Sequence, residues 1–185
     1  MRLKSLYISQ YKNLRDFSLS FDGGSFIDVF VGKNGTGKSN LFEALIEIFR
    51  HIVEYDRTKA DLGFSYRLVY EIDNSETTIE WSWGEIDDVA CRDRPKDRGL
   101  VINGRKRKTI GKSQVPDNVL IYYSGHNKTV AGLVAQYEES FRQRIKRADF
   151  AESRFFIGIG PEYKELLLAV LLMQQDACKA RQFIC

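Results

Sequence analysis

Cysteine and histidine are scarce in this chain. Among 185 residues there are three cysteines (Cys91, Cys178, Cys185) and two histidines (His51, His126). The cysteines are odd in number, far apart and form no CxxC, which argues against a disulfide framework and suits a reducing cytosol. Two histidines are too few for a His-rich metal site. Long apolar runs are also missing. The longest aliphatic stretch, LLLAVLLM at 166–173, is far too short to cross a bilayer, so no membrane association is expected. The N-terminus, MRLKSLYISQYKNL, alternates and holds no continuous signal region. The net charge of +3 names no partner by itself. These features describe an ordinary soluble chain of cytoplasmic type, long enough for one sizeable domain or a lobe of a larger one.

Hydrophobic period divides what remains. RLKSLYISQY and FSLSF alternate like strands, and SFIDVFVG at 25–32 is a short, almost wholly apolar run of the kind expected for a strand buried on both faces. Leu41, Leu45, Ile48, Phe49 and Ile52 then fall at helical spacing, predicting an amphipathic helix from about Lys38 to about Tyr55. Residues 64–110 read as an antiparallel β layer: FSYRLVYEI and TTIEWSW flank the turn DNSE, and Asn103-Gly104 is a strong hairpin signal. NVLIYYSG at 118–125 is again a buried strand. From Val130 onward the chain reads helical, and its last residues carry no helix stop signal, as if it continued. The expected organisation is residues 1–130 as one α/β lobe and 131–185 as a helical segment.

The chemistry centres on FVGKNGTGKSNLFEAL, residues 30–45. Gly32, Gly37, Lys38 and Ser39 match G-x-x-x-x-G-K-[ST] in full. Gly35 and Gly37 let the backbone take conformations that side-chain-bearing residues resist, so successive N–H groups turn inward. Those groups and the following helix N-terminus suit phosphate. Lys38 has the reach for β- and γ-phosphates, and Ser39 offers a hydroxyl to Mg²⁺. The site therefore takes in Gly32, Lys33, Asn34, Gly35, Thr36, Gly37, Lys38, Ser39 and Asn40, with ATP and Mg²⁺ as the expected cofactors. A second GKS, at Gly111, Lys112 and Ser113, lacks the leading glycine, since position 106 is Lys, and no buried strand runs into it.

GKNGTGKSNLFEAL resembles the Walker A segment of the SMC/Rad50/RecF/OLD group of ABC-type ATPases, with Asn34, Asn40 and NLFEAL as typical details. The opening LYISQYKNLRDFSLSF is similar to that group's N-terminal strand and turn. The resemblance implies an α/β P-loop NTPase fold, the N-terminal lobe of an ABC-type head. It also implies that Asn34 lies near the γ-phosphate and that Tyr11, Lys12 and Asn13 lie near the nucleotide; the alternative for those three is an ordinary polar turn. YYSGHNKTV and RFFIGIGPEYKELLLAVLL are similar to AAA-family ATPases associated with restriction and anti-phage systems. Such a resemblance implies a second ATPase head as partner, with a nuclease effector in DNA repair or antiviral defence.

The acid of a Walker B is missing from this sequence. No aliphatic run ends in Asp-Glu, EIDD at 85–88 follows WSWG, and no LSGGQ-like segment occurs. Hydrolysis by this stretch alone is therefore not expected. Ser124, His126 and Asn127 end a predicted strand, where open α/β sheets border their ligands, and are candidates to face the γ-phosphate or attacking water; a plain strand-to-helix turn explains them equally. Residues 92–112 hold nine basic residues and two acids, +7 within a chain of +3. Arg105, Lys106, Arg107 and Lys108 at its hairpin read either as contacts to DNA phosphates or as a solvated tip that discourages edge pairing. A transporter nucleotide-binding domain, an autonomous kinase and a nucleotide sensor without hydrolysis are the rival classes. Asn40 and NLFEAL speak against the first, and the 30 or so residues of β structure before the loop against the second.

Overall fold

Alternating apolar residues build the first sheet. The structure, a computed structural model, describes residues 1–21, 27–58, 61–83, 99–111, 115–116, 118–122, 128–146, 156–160 and 163–173. Six strands, β1 (Arg2–Tyr11), β2 (Leu14–Ser20), β3 (Tyr66–Ile72), β4 (Ser75–Ser82), β5 (Gly99–Ile102) and β6 (Arg105–Arg107), form one antiparallel sheet in the order β2-β1-β3-β4-β5-β6. Its register stacks side chains in rows. Leu6, Leu68, Ile79 and Ile102 face one another across β1, β3, β4 and β5, as do Ile8, Tyr66, Trp81 and Leu100, and all eight are buried. Two tight turns fix that register. Asp73 and Asn74 both take positive φ, as do Asn103 and Gly104, the geometry of two-residue hairpins. Within the β layer expected at 64–110, the described residues form β3 to β6, joined by the two N-terminal strands.

The helix α1 (Lys38–Thr58) covers the apolar face of this sheet. Leu41, Ala44, Ile48, Phe49 and Ile52 are buried along one stripe of it. The buried His51 faces Tyr66 through a 3.0 Å Nδ1···Oη hydrogen bond, and its ring lies 4.7 Å from that of Trp81. Burial pushes the Tyr66 hydroxyl far above its ordinary pKa, so it stays protonated. The Trp81 indole N–H donates to the Leu62 carbonyl at 3.2 Å.

The apolar run before the loop departs from expectation. Residues 27–33 belong to no strand, and Ile27, Val29 and Val31 are 76%, 77% and 88% exposed. A strand is buried on both faces only when neighbours pair with its edges, and the described strands of this unit are all committed to the antiparallel sheet. Phe30 is anchored by edge-on packing against Phe21 and Phe42.

The chain divides into two compact units, Met1–Pro116 and Asp117–Cys185. In the second, β7 (Val119–Tyr122) and β8 (Phe156–Ile159) pair in parallel and are linked through α2 (Lys128–Lys146). A parallel pair needs such a crossover. The strand β8 corrects the helical reading of everything after Val130. Helix α2 packs on it with Val130, Val134 and Tyr137 buried at helical spacing, and α3 (Lys164–Leu172) follows. Leu166, Leu168, Val170 and Leu172 of α3 are exposed. No helix among the described residues is long and apolar enough to cross a membrane.

Candidate functional site

Gly35 (φ +86°) and Gly37 (φ +96°) turn the chain from the exposed run into α1. Both values lie in the left-handed region that side-chain-bearing residues resist. Gly37 is also fixed by its surroundings: a Cβ there would lie 3.0 Å from Asn13 Oδ1 and 3.0 Å from Leu14 Cδ2. The first bond of the helix runs from Leu41 N–H to the Gly37 carbonyl at 2.8 Å. Gly37 therefore stands at the cap position without a side-chain oxygen, and no acid occupies the first turn. The leading amides of a 21-residue helix are thus presented without a side-chain cap.

Lys38 folds back over the loop. Its ammonium donates to the Gly32 carbonyl at 2.5 Å and the Lys33 carbonyl at 2.8 Å. Thr36 Oγ1 donates to the same Lys33 carbonyl at 2.9 Å. Asn34 and Ser39 are exposed on the loop and the first turn.

The β1–β2 turn closes on this loop from the side. Asn13 Nδ2 donates to the Gly35 carbonyl at 3.3 Å, and Asn13 Oδ1 accepts from Asn40 Nδ2 at 2.6 Å. One side chain therefore ties the turn both to the loop and to the first turn of α1. Lys12, held at φ +52°, forms an ion pair with the buried carboxylate of Glu43. Its ammonium also lies 5.6 Å from the Tyr11 ring centroid. Beside the turn opens a cleft of about 520 Å³ lined by Gln10, Tyr11, Lys12, Glu47, Leu62, Gly63 and Phe64. Burial there, helped by Glu47 and Glu43, pushes the Tyr11 hydroxyl up to about 12. Burial also raises the Glu47 carboxyl above its ordinary range, against the opposing pull of Arg50.

Sequence reasoning named Lys12, Asn13 and residues 32–40, and the structure brings these together. It did not find Glu43, whose partner lies 31 residues away and leaves no local signal. Ser124, His126, Asn127 and the EIDD segment lie outside the described residues, as do Arg92, Arg94, Lys96, Arg98 and Lys112. Arg105 to Lys108 are described and exposed, at the edge of the sheet. Among the described residues no cluster of three or more His, Cys, Asp or Glu is placed to hold a metal.

The family comparison gives the class of this mixed α/β unit with its glycine-led helix start. The model of the AAA ATPase domain matches residues 1–154, and the chain belongs to that family. The chain is 31% identical over 83 residues to the DNA double-strand break repair Rad50 ATPase of Archaeoglobus fulgidus, a match covering 42% of this chain and 9% of that protein. It is 33% identical over 64 residues to the DNA replication and repair protein RecF of Streptococcus gordonii, covering 35% of this chain and 17% of that protein. The matches thus span less than a fifth of either relative's length. The resemblance read from the first 50 residues is borne out at this level: the chain is an ATPase domain related to Rad50 and RecF.

Proposed function

We propose that residues 32–40 bind ATP with Mg²⁺, and that residues 1–130 form the N-terminal lobe of an ABC-type P-loop head, with 131–185 continuing it. One observation carries the reading: the start of α1. Its leading amides lack a side-chain cap, its cap residue is a glycine whose Cβ space is filled, and a lysine ammonium is held among the loop carbonyls beside it. A helix that begins this way is completed by an anion. The residues present fit a nucleotide triphosphate. The loop amides and the N-terminus of α1 would hold its phosphates, Lys38 would exchange the carbonyls of Gly32 and Lys33 for β- and γ-oxygens, and Asn34 would lie beside the γ-phosphate. Ser39 would supply an oxygen to Mg²⁺, which when bound neutralises charge between those phosphates. Asn13 would position the loop, and Lys12, paired with Glu43, lies at its flank.

Two such heads would meet across the nucleotide, each completing the other's site, and ATP state would control a DNA-directed activity, a nuclease in repair or defence. The repair functions in the names of both relatives support this. The protein would work in the cytoplasm. The test is Lys38→Ala in the full-length protein. ATP affinity or turnover should fall at least about tenfold, because a charge-assisted contact is lost while the backbone cradle remains. The melting temperature without nucleotide should hold. Unchanged binding and turnover would sink the proposal.

A further inference from the structure

Two residues at the flank of the loop each stand where another residue would cost less. Lys12 is the first of the two residues that join the paired Tyr11 and Leu14, and its φ is +52°. Glycine takes that conformation without steric cost, and lysine does not. Glu43, on the second turn of α1, is the other. Its side chain is 4% exposed, and a carboxylate placed so deeply is unfavourable unless it is paired. The two costs meet in one contact, the ion pair between these residues. A left-handed lysine and a buried carboxylate persist where the surroundings fix them.

The pair draws the Lys12 ammonium away from the helix start. Glu43 lies five residues after Lys38, about 7.5 Å down α1. Glu47, one turn further, also attracts this ammonium, but its own ion-pair partner is Arg50 at 2.6 Å. Moving Lys12 to a phosphate would leave Glu43 buried without its cation. What the pair holds in place is the two residues that follow. Asn13 reaches the Gly35 carbonyl and Asn40. Asn13 and Leu14 together fill the space that a Cβ on Gly37 would need. The turn is thus the wall against which the loop is shaped, and Lys12 ties that wall to the second turn of α1.

We propose that Lys12 and Glu43 form a latch that fixes the β1–β2 turn on α1 and so presets the loop, acting on nucleotide binding through position and not through contact with phosphate. Both are positioning residues, and Asn13 carries their effect to Gly35 and Asn40. The effect on nucleotide affinity rests on the ATP reading above; the preset loop can be measured without nucleotide. An apolar pair of similar volume could stabilise this flank as well. An ion pair admits fewer arrangements, which is what a turn that shapes a loop requires.

The experiment compares the full-length protein with Lys12→Gln, Glu43→Gln, the double variant, and Asn13→Ala with and without Glu43→Gln. ATP affinity is measured by filter binding across a salt series, and amide hydrogen exchange is followed by mass spectrometry without nucleotide. Glu43→Gln leaves a partly exposed lysine to water and keeps a hydrogen-bond acceptor, so the fold should hold. Exchange at residues 33–41 should quicken while β3 and β4 keep their protection, and ATP binding should weaken about fivefold. The double variant should lose no more than the worse single one, because the same contact is broken in all three. Its local charge equals that of wild type, so the salt dependence of ATP binding should not change. In Asn13→Ala, adding Glu43→Gln should weaken ATP binding no further, a result that general loosening of the fold would not give. Tighter ATP binding in Glu43→Gln, or a flatter salt dependence in the double variant, would put Lys12 on the phosphates and overturn the latch. Additive losses, or unchanged exchange at 33–41 in Glu43→Gln, would overturn it too. Loop exchange that responds to Glu43→Gln in a protein that binds no ATP would instead sink the ATP reading and leave the latch standing.

Discussion

Single residues here act through what they are tied to. Asn13 is the plainest case, since one amide side chain reaches the Gly35 carbonyl and Asn40 and so sets where the β1–β2 turn stands against the loop. Glu47 carries a pH-sensitive contribution. Its side chain is 13% exposed beside Arg50, and burial outweighs that partner, raising its pKa. The folded protein therefore holds this proton more tightly than the unfolded chain. Stability contributed through Glu47 is greatest at low pH and falls as pH climbs from the ordinary carboxylate value of 4.5 through the raised one. Glu47→Gln should accordingly raise the melting temperature at pH 8, and the gain over wild type should shrink as pH is lowered toward 4.5. A gain that grew on acidification would contradict the assignment.

Elements differ in how far the sequence announces them. In the second unit, α2 and β8 meet where a Cβ on Gly158 would lie 2.3 Å from Val134 Cγ1. Valine is stiff at χ1 and gives way poorly. Gly158→Ala should thus cost about 1–3 kcal/mol as an overpacked core, and Val134→Ala in the same chain should recover most of it. Thermal or urea unfolding of the single and double variants checks this, and two additive losses would count against the contact. Nothing local in FIGI distinguished β8 from the apolar stretches of nearby helices, because four apolar residues have no readable period and a parallel partner lies 37 positions upstream. The hairpins were legible for the opposite reason. Asp73-Asn74 and Asn103-Gly104 state their backbone geometry in their own side chains, and the adjacent strands supply both partners. The loop was legible because glycine, lysine and serine at fixed spacing serve a chemistry with few solutions. The surroundings of SFIDVFVG were not, since burial belongs to neighbours rather than to the run itself. The pairing of Lys12 with Glu43 is nonlocal in the same way.

On the scale of the whole first unit, strand order and chain order disagree at one place. β1 has β2 on one side and β3 on the other, so the loop and α1 form an excursion between two strands that are direct neighbours of β1. The excursion includes the exposed residues Val29 and Val31, the kind of segment that proteases cut first. A nick there would not divide the fold where it divides the chain. One piece would keep β1 and β2, the other α1 and β3 to β6, and the ladder from Arg2 with Glu71 to Ile8 with Tyr66 would still hold them together. The Asn13 and Lys12 contacts would add to that hold from across the cut. Brief treatment with a protease specific for small aliphatic residues should therefore give two bands on a denaturing gel and one undivided peak on native size exclusion. Separation of the pieces in native buffer would show that the covalent link, rather than the sheet, keeps them together. Held by that ladder, the protein would behave as a split pair: two complementary fragments, expressed apart, that reassemble around a single antiparallel seam.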